Sequence, residues 1–306
     1  MTVVAEPNSE FVETNYIKEI TNRAFFYLKA GYPVHFRGPA GTGKSTLAKH
    51  LAYKLARPIS LVHGDEEMTT SKLVGGESGY RFKKVRDNFI STVLKEEEQM
   101  TKQWVDNRLT EACKYGFTLI YDEFTRSRAE ANNVLLSVLQ DRMLTISSNG
   151  GDEDPYVEVH PEFKAIFTSN PEEYAGTHKS QDALRDRMIT LDIDYPDYET
   201  EVEILNAKTE LGIDNSELII KIVRTLRNSG ECEFSPTIRA GMMIAKTLHA
   251  MQLDPKADKD MFLAICMDIL GSETSRTGQK EKQNIVRDVV KDVVLENVSN
   301  FRSLAS

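Results

Sequence analysis

Cysteine is scarce in this sequence of 306 residues. Its three cysteines, Cys113, Cys232 and Cys266, are far apart and lack the close spacing of metal ligands or of a disulfide framework. Isolated thiols of this kind are typical of proteins from a reducing compartment, where disulfides are rare. We therefore predict three small buried thiols and exclude a disulfide-rich or zinc-ribbon protein.

The sequence also lacks long hydrophobic segments. No stretch reaches the roughly 18 apolar residues that a membrane-spanning helix needs, and residues 1–10 have neither a basic start nor an apolar run. These absences predict a protein without a membrane span or a secretory signal, and we expect it in the cytoplasm.

Basic residues are outnumbered by acidic ones. The chain has 38 lysines and arginines against 47 aspartates and glutamates, which gives a formal net charge of −9. Because an acidic protein has no broad attraction for the phosphates of nucleic acids, a nucleic-acid partner is disfavoured. One local basic cluster is interpreted either as a patch for binding or as the solvated start of a helix; it consists of Arg81, Lys83, Lys84 and Arg86.

Short apolar runs alternate with helical segments in the first two thirds of the chain. Five runs rich in β-branched or aromatic residues predict strands, at 34–36, 59–62, 118–121, 165–168 and 188–193. The intervening helical spacing predicts an α/β fold with a parallel sheet and helices on both faces. Polar residues that follow the strands should then meet at the carboxyl edge of the sheet, where such folds bind their ligands.

Two segments interrupt this alternation, and a third part of the chain has only helical spacing. Residues 85–112 predict a charged helix within an insert at about 75–112, and residues 143–161 predict a β-hairpin around Asn149 and Gly150. Five further helices are predicted at 200–211, 216–227, 235–249, 258–270 and 283–298. We therefore divide the chain into an N-terminal segment (1–15), an α/β domain (16–196) that opens with a helix at 16–29, and a small all-α domain (197–306).

A phosphate-binding loop follows the first predicted strand. Two glycines four residues apart precede a lysine and a serine, which is the pattern of a nucleotide-binding loop. The nucleotide-binding segment is Gly38, Pro39, Ala40, Gly41, Thr42, Gly43, Lys44, Ser45 and Thr46. Glycines let backbone N–H groups approach a phosphate, Lys44 would bridge the β- and γ-phosphates, and the Ser45 hydroxyl would hold Mg²⁺. An incidental glycine-rich turn is the alternative, but the strand before the loop and the amphipathic helix after it favour the phosphate loop.

Two carboxylates end the third predicted strand. Asp122 is placed to complete the shell of Mg²⁺, and Glu123 is then available to polarise the attacking water as a general base. An acid pair that only solvates a loop is the alternative, and the phosphate loop upstream argues against it.

Four further residues are candidates for contacts with the γ-phosphate. Asn170 follows the next strand and would either position the attacking water or cap the turn into the proline after it. Arg185 and Arg187 precede the last strand, where an arginine is placed to cross a subunit interface and stabilise the transferring phosphoryl group of a neighbouring subunit, and Arg187 is preferred for this role. Surface ion pairing is the alternative for both. Arg239 opens a helix of the second domain. If it reaches the γ-phosphate, it would couple the angle between the two domains to the state of the bound nucleotide.

Two histidines flank the predicted strands. His35 and His63 have no metal-ligating residue at a suitable spacing in the sequence, which predicts structural histidines.

The motifs, in this order, resemble the AAA+ ATPase module. They supply a phosphate loop, the pair Asp122 and Glu123, a sensor at Asn170, an arginine finger at Arg187 and a sensor arginine at Arg239. The insert and the hairpin resemble the MoxR branch, and the connecting segments are similar to the gas vesicle protein N family over nearly the whole chain. These segments are 11–14, 23–24, 27–28, 31–36, 104–109, 121–126 and 131–136.

This resemblance implies a fold, cofactors and partners. The fold is a three-layer αβα AAA+ domain followed by a small all-α lid, and the cofactors are ATP and Mg²⁺. The implied activity is hydrolysis of ATP to ADP and phosphate by a homo-oligomeric ring, commonly a hexamer in the MoxR branch. Gas vesicle shell or accessory proteins are the implied partners, and a chaperone-like role in vesicle assembly and growth is expected.

Two other functions are compatible with the same motifs. Relatives in the MoxR branch activate metal enzymes, such as carbon-fixing or nitric-oxide-reducing enzymes, and the ATPase motifs do not distinguish these clients. The second possible function is that of a structural component of the vesicle, which binds nucleotide but does not need to hydrolyse it. Glu123 argues against it, because a protein that only binds nucleotide needs no residue to activate water.

Overall fold

The computed structural model describes residues 11–87, 95–146, 156–170, 180–230, 232, 234–274 and the single positions 284, 287, 288, 291, 292 and 295. They belong to two compact units. The sheet unit contains residues 23–37 and 44–192, and the helical unit contains the described parts of 8–22, 38–43 and 193–306. None of the helices in these described ranges combines the length and hydrophobicity needed to cross a membrane.

The strands form one parallel sheet and two hairpins. They are β1 (Val34–Arg37), β2 (Ile59–His63), β3 (Gly75–Asp87), β4 (Lys95–Asp106), β5 (Thr118–Asp122), β6 (Met143–Thr145), β7 (Tyr156–Glu158), β8 (Lys164–Ser169) and β9 (Ile189–Asp192). The sheet has the order β2-β5-β8-β1-β9, with every neighbouring pair parallel. The five predicted strands are confirmed. Pairing of β6 with β7 confirms the second hairpin, whose turn around Asn149 and Gly150 lies outside the described residues.

Helices connect the strands and make up the helical unit. They are α1 (Asn15–Lys29), α2 (Lys44–Lys54), α3 (Thr70–Val74), α4 (Arg108–Tyr115), α5 (Ala129–Asn132), α6 (Val134–Gln140), α7 (Ser180–Arg185), α8 (Tyr198–Thr209), α9 (Ile213–Asn228), α10 (Ile238–Met251) and α11 (Lys259–Thr274). The predicted helix at 16–29 and the first four helices predicted after residue 196 are confirmed. Within the fifth, at 283–298, the six described residues are helical. The α/β fold with a C-terminal all-α region is therefore confirmed.

The predicted helix at 85–112 is wrong. Residues 75–87 and 95–106 pair as the antiparallel strands β3 and β4, and a helix begins only at Arg108. The pairing register places Lys84 opposite Glu98 and Arg86 opposite Glu96. This register pairs positions from segments too far apart along the chain to be matched by helical periodicity. The basic cluster at 81–86 therefore lies on a strand and does not start a helix.

Aromatic rings fill the core of the sheet unit beside the predicted acidic pair. Tyr121, Phe124 and Phe167 are fully buried. The ring centroids of Phe124 and Phe167 are 5.4 Å apart, and those of Tyr121 and Phe167 are 6.2 Å apart. Because Tyr121 precedes Asp122 and Phe124 follows Glu123, this packing fixes the backbone that carries both carboxylates.

The cysteines match the prediction in two of three cases. Cys113 and Cys266 are buried, whereas Cys232 is only partly buried. Burial raises the pKa of the Cys113 thiol to about 12, which keeps it protonated and unreactive.

The helical unit encloses a carboxylate between two arginines. Glu201 is fully buried, and its two carboxylate oxygens accept hydrogen bonds of 2.8 Å from Arg224 Nη1 and Arg227 Nη2. Arg227 Nε also donates to the carbonyl oxygen of Pro236 at 2.8 Å, and its guanidinium lies 4.2 Å from the centre of the Tyr195 ring. These contacts tie α8 and α9 to the segment that leads into α10.

His35 is buried in the central part of the sheet. Its ring nitrogens lie 2.8 Å from Ser169 Oγ and 3.1 Å from Thr190 Oγ1, on the two neighbouring strands. Burial, followed by the positive charge of Arg185, lowers the pKa of His35 from 6.5 to about 3. The ring is therefore neutral in the folded protein, in agreement with the predicted structural role.

We expect Glu201→Ala to lower the free energy of unfolding by about 3 kcal/mol, because two guanidinium groups would lose their carboxylate partner inside the protein. The measurement is urea denaturation followed by circular dichroism. Glu203→Ala, at an exposed position of the same helix, is the matched control and should change the free energy by less than about 0.5 kcal/mol. Equal effects of the two variants would contradict the assigned role of the buried network.

The folded protein should lose stability as the pH falls from about 6.5 toward 3, partly because of His35. In that window the unfolded chain protonates His35 and the folded chain does not, so the imidazole contributes a slope of about 1.4 kcal/mol per pH unit. His35→Gln should reduce the pH dependence of the unfolding free energy measured between about pH 6 and 4. A variant at position 35 with the slope of the parent would show that this ring protonates freely.

Candidate active site

Glycines shape the loop between β1 and α2. A Cβ atom on Gly38 would lie 1.8 Å from the carbonyl oxygen of Ile193, and a Cβ on Gly41 would lie 2.7 Å from side-chain atoms of Thr237. Gly41 and Gly43 have φ angles of +77° and +88°, in the left-handed region that favours glycine. The loop therefore depends on its glycines for both space and backbone conformation.

The loop closes on itself and leads into a helix. Thr42 Oγ1 donates a hydrogen bond of 3.0 Å to the carbonyl oxygen of Pro39, and α2 begins directly afterwards at Lys44. Lys44 is buried, whereas Ala40 and Thr46 are exposed. The predicted order of strand, glycine-rich turn and helix is confirmed, and the N-terminus of α2 supplies the partial positive charge that favours a phosphate.

Ser45 and Asp122 meet in the sheet unit. The Ser45 hydroxyl donates to Asp122 Oδ1 at 2.7 Å, although 77 positions separate them in the sequence. Asp122 is the last residue of β5, a fully buried strand that lies between β2 and β8 in the sheet. The structure thus brings together the two residues that the sequence predicted as ligands of Mg²⁺.

Glu123 occupies an unusual backbone conformation directly after this strand. Its φ and ψ angles are 53° and 40°, in the left-handed region. The backbone N–H donates to Thr168 Oγ1 at 2.9 Å, and the carboxylate accepts a hydrogen bond of 2.8 Å from Arg126 Nη1. The carboxylate is about half exposed, so it is accessible to water as a general base must be.

Two residues contact Asp122 that sequence reasoning did not connect with it: it missed Thr168, and it predicted only a structural role for His63. Thr168 Oγ1 lies 2.5 Å from Asp122 Oδ1, and His63 Nδ1 lies 3.5 Å from Asp122 Oδ2. Both are on strands next to β5, and His63 is directly paired with Asp122 in the sheet register. The order of strands in the sheet, which spacing along the chain does not give, creates these contacts.

Asn170 follows β8 and is buried. It is two residues after Thr168 and one after Ser169, the partner of His35. Asn170 is therefore at the carboxyl edge of the strand next to β5, as the sequence predicted.

The two arginines after α7 have different surroundings. Arg187 donates from Nε and Nη2 to Gln140 Oε1, at 2.9 and 2.6 Å, and from Nη1 to the carbonyl oxygen of Ala183. Arg185 is close enough to the buried His35 for its charge to contribute, after burial, to the lowered pKa of that histidine. Arg187 is thus held at the end of α6, while Arg185 is half-buried with its Nε atom away from solvent.

Arg239 lies at the start of α10 in the helical unit. It is exposed, and its backbone N–H donates to Thr237 Oγ1, which caps the helix. Because Thr237 is the residue that a side chain on Gly41 would strike, the phosphate loop lies against the N-terminus of the helix that carries Arg239.

The donor set fits Mg²⁺ bound to a nucleotide. Ser45 and Asp122 provide a hydroxyl and a carboxylate, which are hard oxygen ligands. In the part of the chain that the structure describes, no group of three or more histidine, cysteine, aspartate or glutamate side chains forms a metal site made by protein alone. Mg²⁺ commonly binds one or two protein oxygens and takes its other ligands from phosphate and water, so two adjacent oxygen donors are sufficient.

The sequence is similar to those of known proteins. Residues 33–188 match the model of the AAA domain, dynein-related subfamily. The chain is 50% identical to the gas vesicle ATPase GvpN of Ancylobacter aquaticus over 87% of its own length and 74% of that protein. It is 39% identical to the gas vesicle ATPase GvpN of Haloferax mediterranei, over 87% of this chain and 75% of the relative.

A solved structure is similar in fold. The Holliday junction branch migration motor RuvB of Thermotoga maritima superposes with a TM-score of 0.52 at 18% identity, covering 88% of this chain and 73% of that chain. At this identity the likeness concerns the fold alone, and it supports the AAA+ architecture of a parallel sheet followed by helices.

Proposed function

Because the chain belongs to the gas vesicle ATPase GvpN family, we propose that it uses ATP hydrolysis to assist the assembly and growth of gas vesicles as a chaperone-like ATPase. The protein is an AAA+ ATP hydrolase. The observation that carries the assignment of its active site is the hydrogen bond between Ser45 and Asp122, immediately beside the half-exposed Glu123.

Four residues of the sheet unit receive roles in the chemical step. Lys44 contacts the β- and γ-phosphates, and Ser45 with Asp122 holds Mg²⁺. When bound, Mg²⁺ offsets negative charge that develops on the phosphate oxygens. Glu123 accepts a proton from the attacking water, which must lie within hydrogen-bond distance of its carboxylate.

Three further residues are proposed to contact the water or the γ-phosphate. Asn170 orients the attacking water through its neutral side-chain amide, which adds no charge. Arg187 stabilises the transferring phosphoryl group in the active site of a neighbouring copy of the chain. Arg239 contacts the γ-phosphate and links helix α10 to the state of the nucleotide.

Proposed partners follow from the family and from these roles. A finger that acts on a neighbouring copy requires a homo-oligomer, and we propose a ring, most simply a hexamer. Gas vesicle shell or accessory proteins are the proposed clients, which places the protein in the cytoplasm beside the vesicles. Hydrolysis is essential in this proposal, which separates it from a structural nucleotide-binding component.

We expect a purified gas vesicle shell protein to stimulate the ATPase rate of the parent protein. Glu123→Gln should lower kcat by about 10²- to 10⁴-fold, because the amide cannot accept the proton of the attacking water, while ATP binding is retained. The measurement is phosphate release with and without the shell protein, together with vesicle formation in cells. Glu130→Gln, at an exposed position of α5, is the matched control. Normal vesicles formed with Glu123→Gln would contradict the proposal and favour the structural component.

Arg187→Ala should lower kcat by about 10³-fold or more at saturating protein concentration if its guanidinium completes a neighbouring site. Lys44→Ala should also be inactive, because its own phosphate loop cannot engage the nucleotide. Mixed oligomers of the two variants should regain ATPase activity, since some sites combine a normal Lys44 with a normal Arg187 from the next copy. Mixtures as inactive as the separate variants would place Arg187 in its own site or outside the mechanism. Arg185→Ala paired with Lys44→Ala tests the other candidate in the same way.

A further inference from the structure

Asp122 and Glu123 lie where the backbone pairing between β5 and β8 ends. Pairing between β5 and β8 ends at Tyr121 and Phe167. The next backbone N–H that would face β8 belongs to Glu123, and the chain turns there into the left-handed region. A residue other than glycine adopts that conformation only when neighbouring contacts hold it.

Thr168 supplies the contact on the β8 side. Its hydroxyl oxygen accepts the N–H of Glu123 at 2.9 Å and lies 2.5 Å from Asp122 Oδ1, to which it donates its proton. A hydroxyl can accept and donate at the same time, and this one is buried, with about 1% of the residue exposed. One atom thereby connects the backbone of Glu123 to the carboxylate of Asp122.

Contacts on the opposite side allow the turn. The N–H of Gly64 donates to the carbonyl oxygen of Asp122 at 2.8 Å, and a Cβ on Gly64 would lie 2.2 Å from the carbonyl oxygen of Glu123. The backbone at 122–123 is therefore enclosed by a glycine on β2's side and by a threonine hydroxyl on β8's side. Of these two, only the threonine also reaches a carboxylate.

We propose that Thr168 is a positioning residue that sets the distance and orientation between the metal-binding carboxylate and the catalytic base. Its donated proton fixes Asp122 Oδ1, and its accepted bond fixes the turn from which the Glu123 side chain projects. This inference rests on the proposed roles of Asp122 and Glu123. It assigns a second role to strand β8, which also leads to Asn170. This role depends on the hydroxyl group of Thr168 alone.

The test compares Thr168→Val, which keeps the shape and removes the hydrogen bonds, with Thr168→Ser, which keeps the hydroxyl. Thr118→Val is the matched control: it is a fully buried threonine on β5 whose hydroxyl has no hydrogen-bond partner within the described residues. For each protein, kcat and KM for MgATP are measured, along with ADP affinity with and without Mg²⁺. Hydrogen exchange of the Glu123 amide is followed by NMR in the absence of nucleotide and metal.

Thr168→Val should lower kcat by about 100-fold, since misplacement by about 1 Å has that cost. It should reduce the Mg²⁺-dependent gain in ADP affinity by about tenfold, because the metal-binding carboxylate loses its support. The Glu123 amide should exchange faster, ADP affinity without Mg²⁺ should stay unchanged, and Thr168→Ser should restore all of these quantities. Thr118→Val should resemble the parent.

Two results would overturn the inference. One is a Thr168→Val protein with parental kcat while Glu123→Gln is inactive, which leaves the proposed function intact and removes Thr168 from it. The other is parental hydrogen exchange at Glu123 in Thr168→Val. Parental activity of Glu123→Gln would instead overturn the catalytic base, and this inference with it. If circular dichroism shows that Thr168→Val does not fold, Thr168→Ala takes its place. Its kcat, its Mg²⁺-dependent ADP affinity and its Glu123 amide exchange are then compared with those of Thr168→Ser in the same way.

Discussion

Asp122 Oδ1 is the atom on which the arrangement of the active site depends. It accepts hydrogen bonds from the hydroxyls of Ser45, at the start of α2, and of Thr168, on the neighbouring strand. Because Asp122 ends a fully buried strand between Tyr121 and the turn at Glu123, its position is determined by packing as well as by polar contacts. One carboxylate oxygen therefore connects the phosphate-loop helix, the acidic strand and the strand that ends at Asn170.

The phosphate loop imposes a second constraint, within the helical unit. Gly38 lies against Ile193 at the start of the chain segment that forms this unit, and Gly41 lies against Thr237, the cap of α10. Any change of the loop's backbone on binding a phosphate would alter these two contacts directly. The network of Glu201 with Arg227 holds Pro236, one residue before the cap, so the position of the cap depends on a buried ion pair. This dependence gives a physical reason for retaining a buried charge that is costly to desolvate.

Much of the fold and of the chemistry could be predicted because the signals are local. The loop at 38–45 and the pair Asp122 and Glu123 are each encoded in consecutive residues, and apolar runs locate the five strands of the sheet. Thr168 and His63 could not be found in this way, because their relation to Asp122 exists only after β2, β5 and β8 are ordered side by side. The prediction of a helix in the insert failed for the same reason. The strands β3 and β4 pair residues that are distant along the chain, whereas helical periodicity compares only residues within about two turns.

The surroundings of Arg187 bear on how a side chain can act outside its own protomer. A long, free arginine would lose about 2 kcal/mol of rotamer entropy when a phosphate fixed it. Here Gln140 and the carbonyl of Ala183 already hold the guanidinium, and among the described residues their three bonds leave two of its five N–H donors for another acceptor. Most of the ordering has thus occurred during folding, so contact with a neighbouring nucleotide would gain charge stabilisation at a small entropic cost. Arg185 is half-buried, and its positive charge contributes to the lowered pKa of the buried His35. These contacts support the proposed choice of Arg187 on energetic grounds that sequence position alone does not provide.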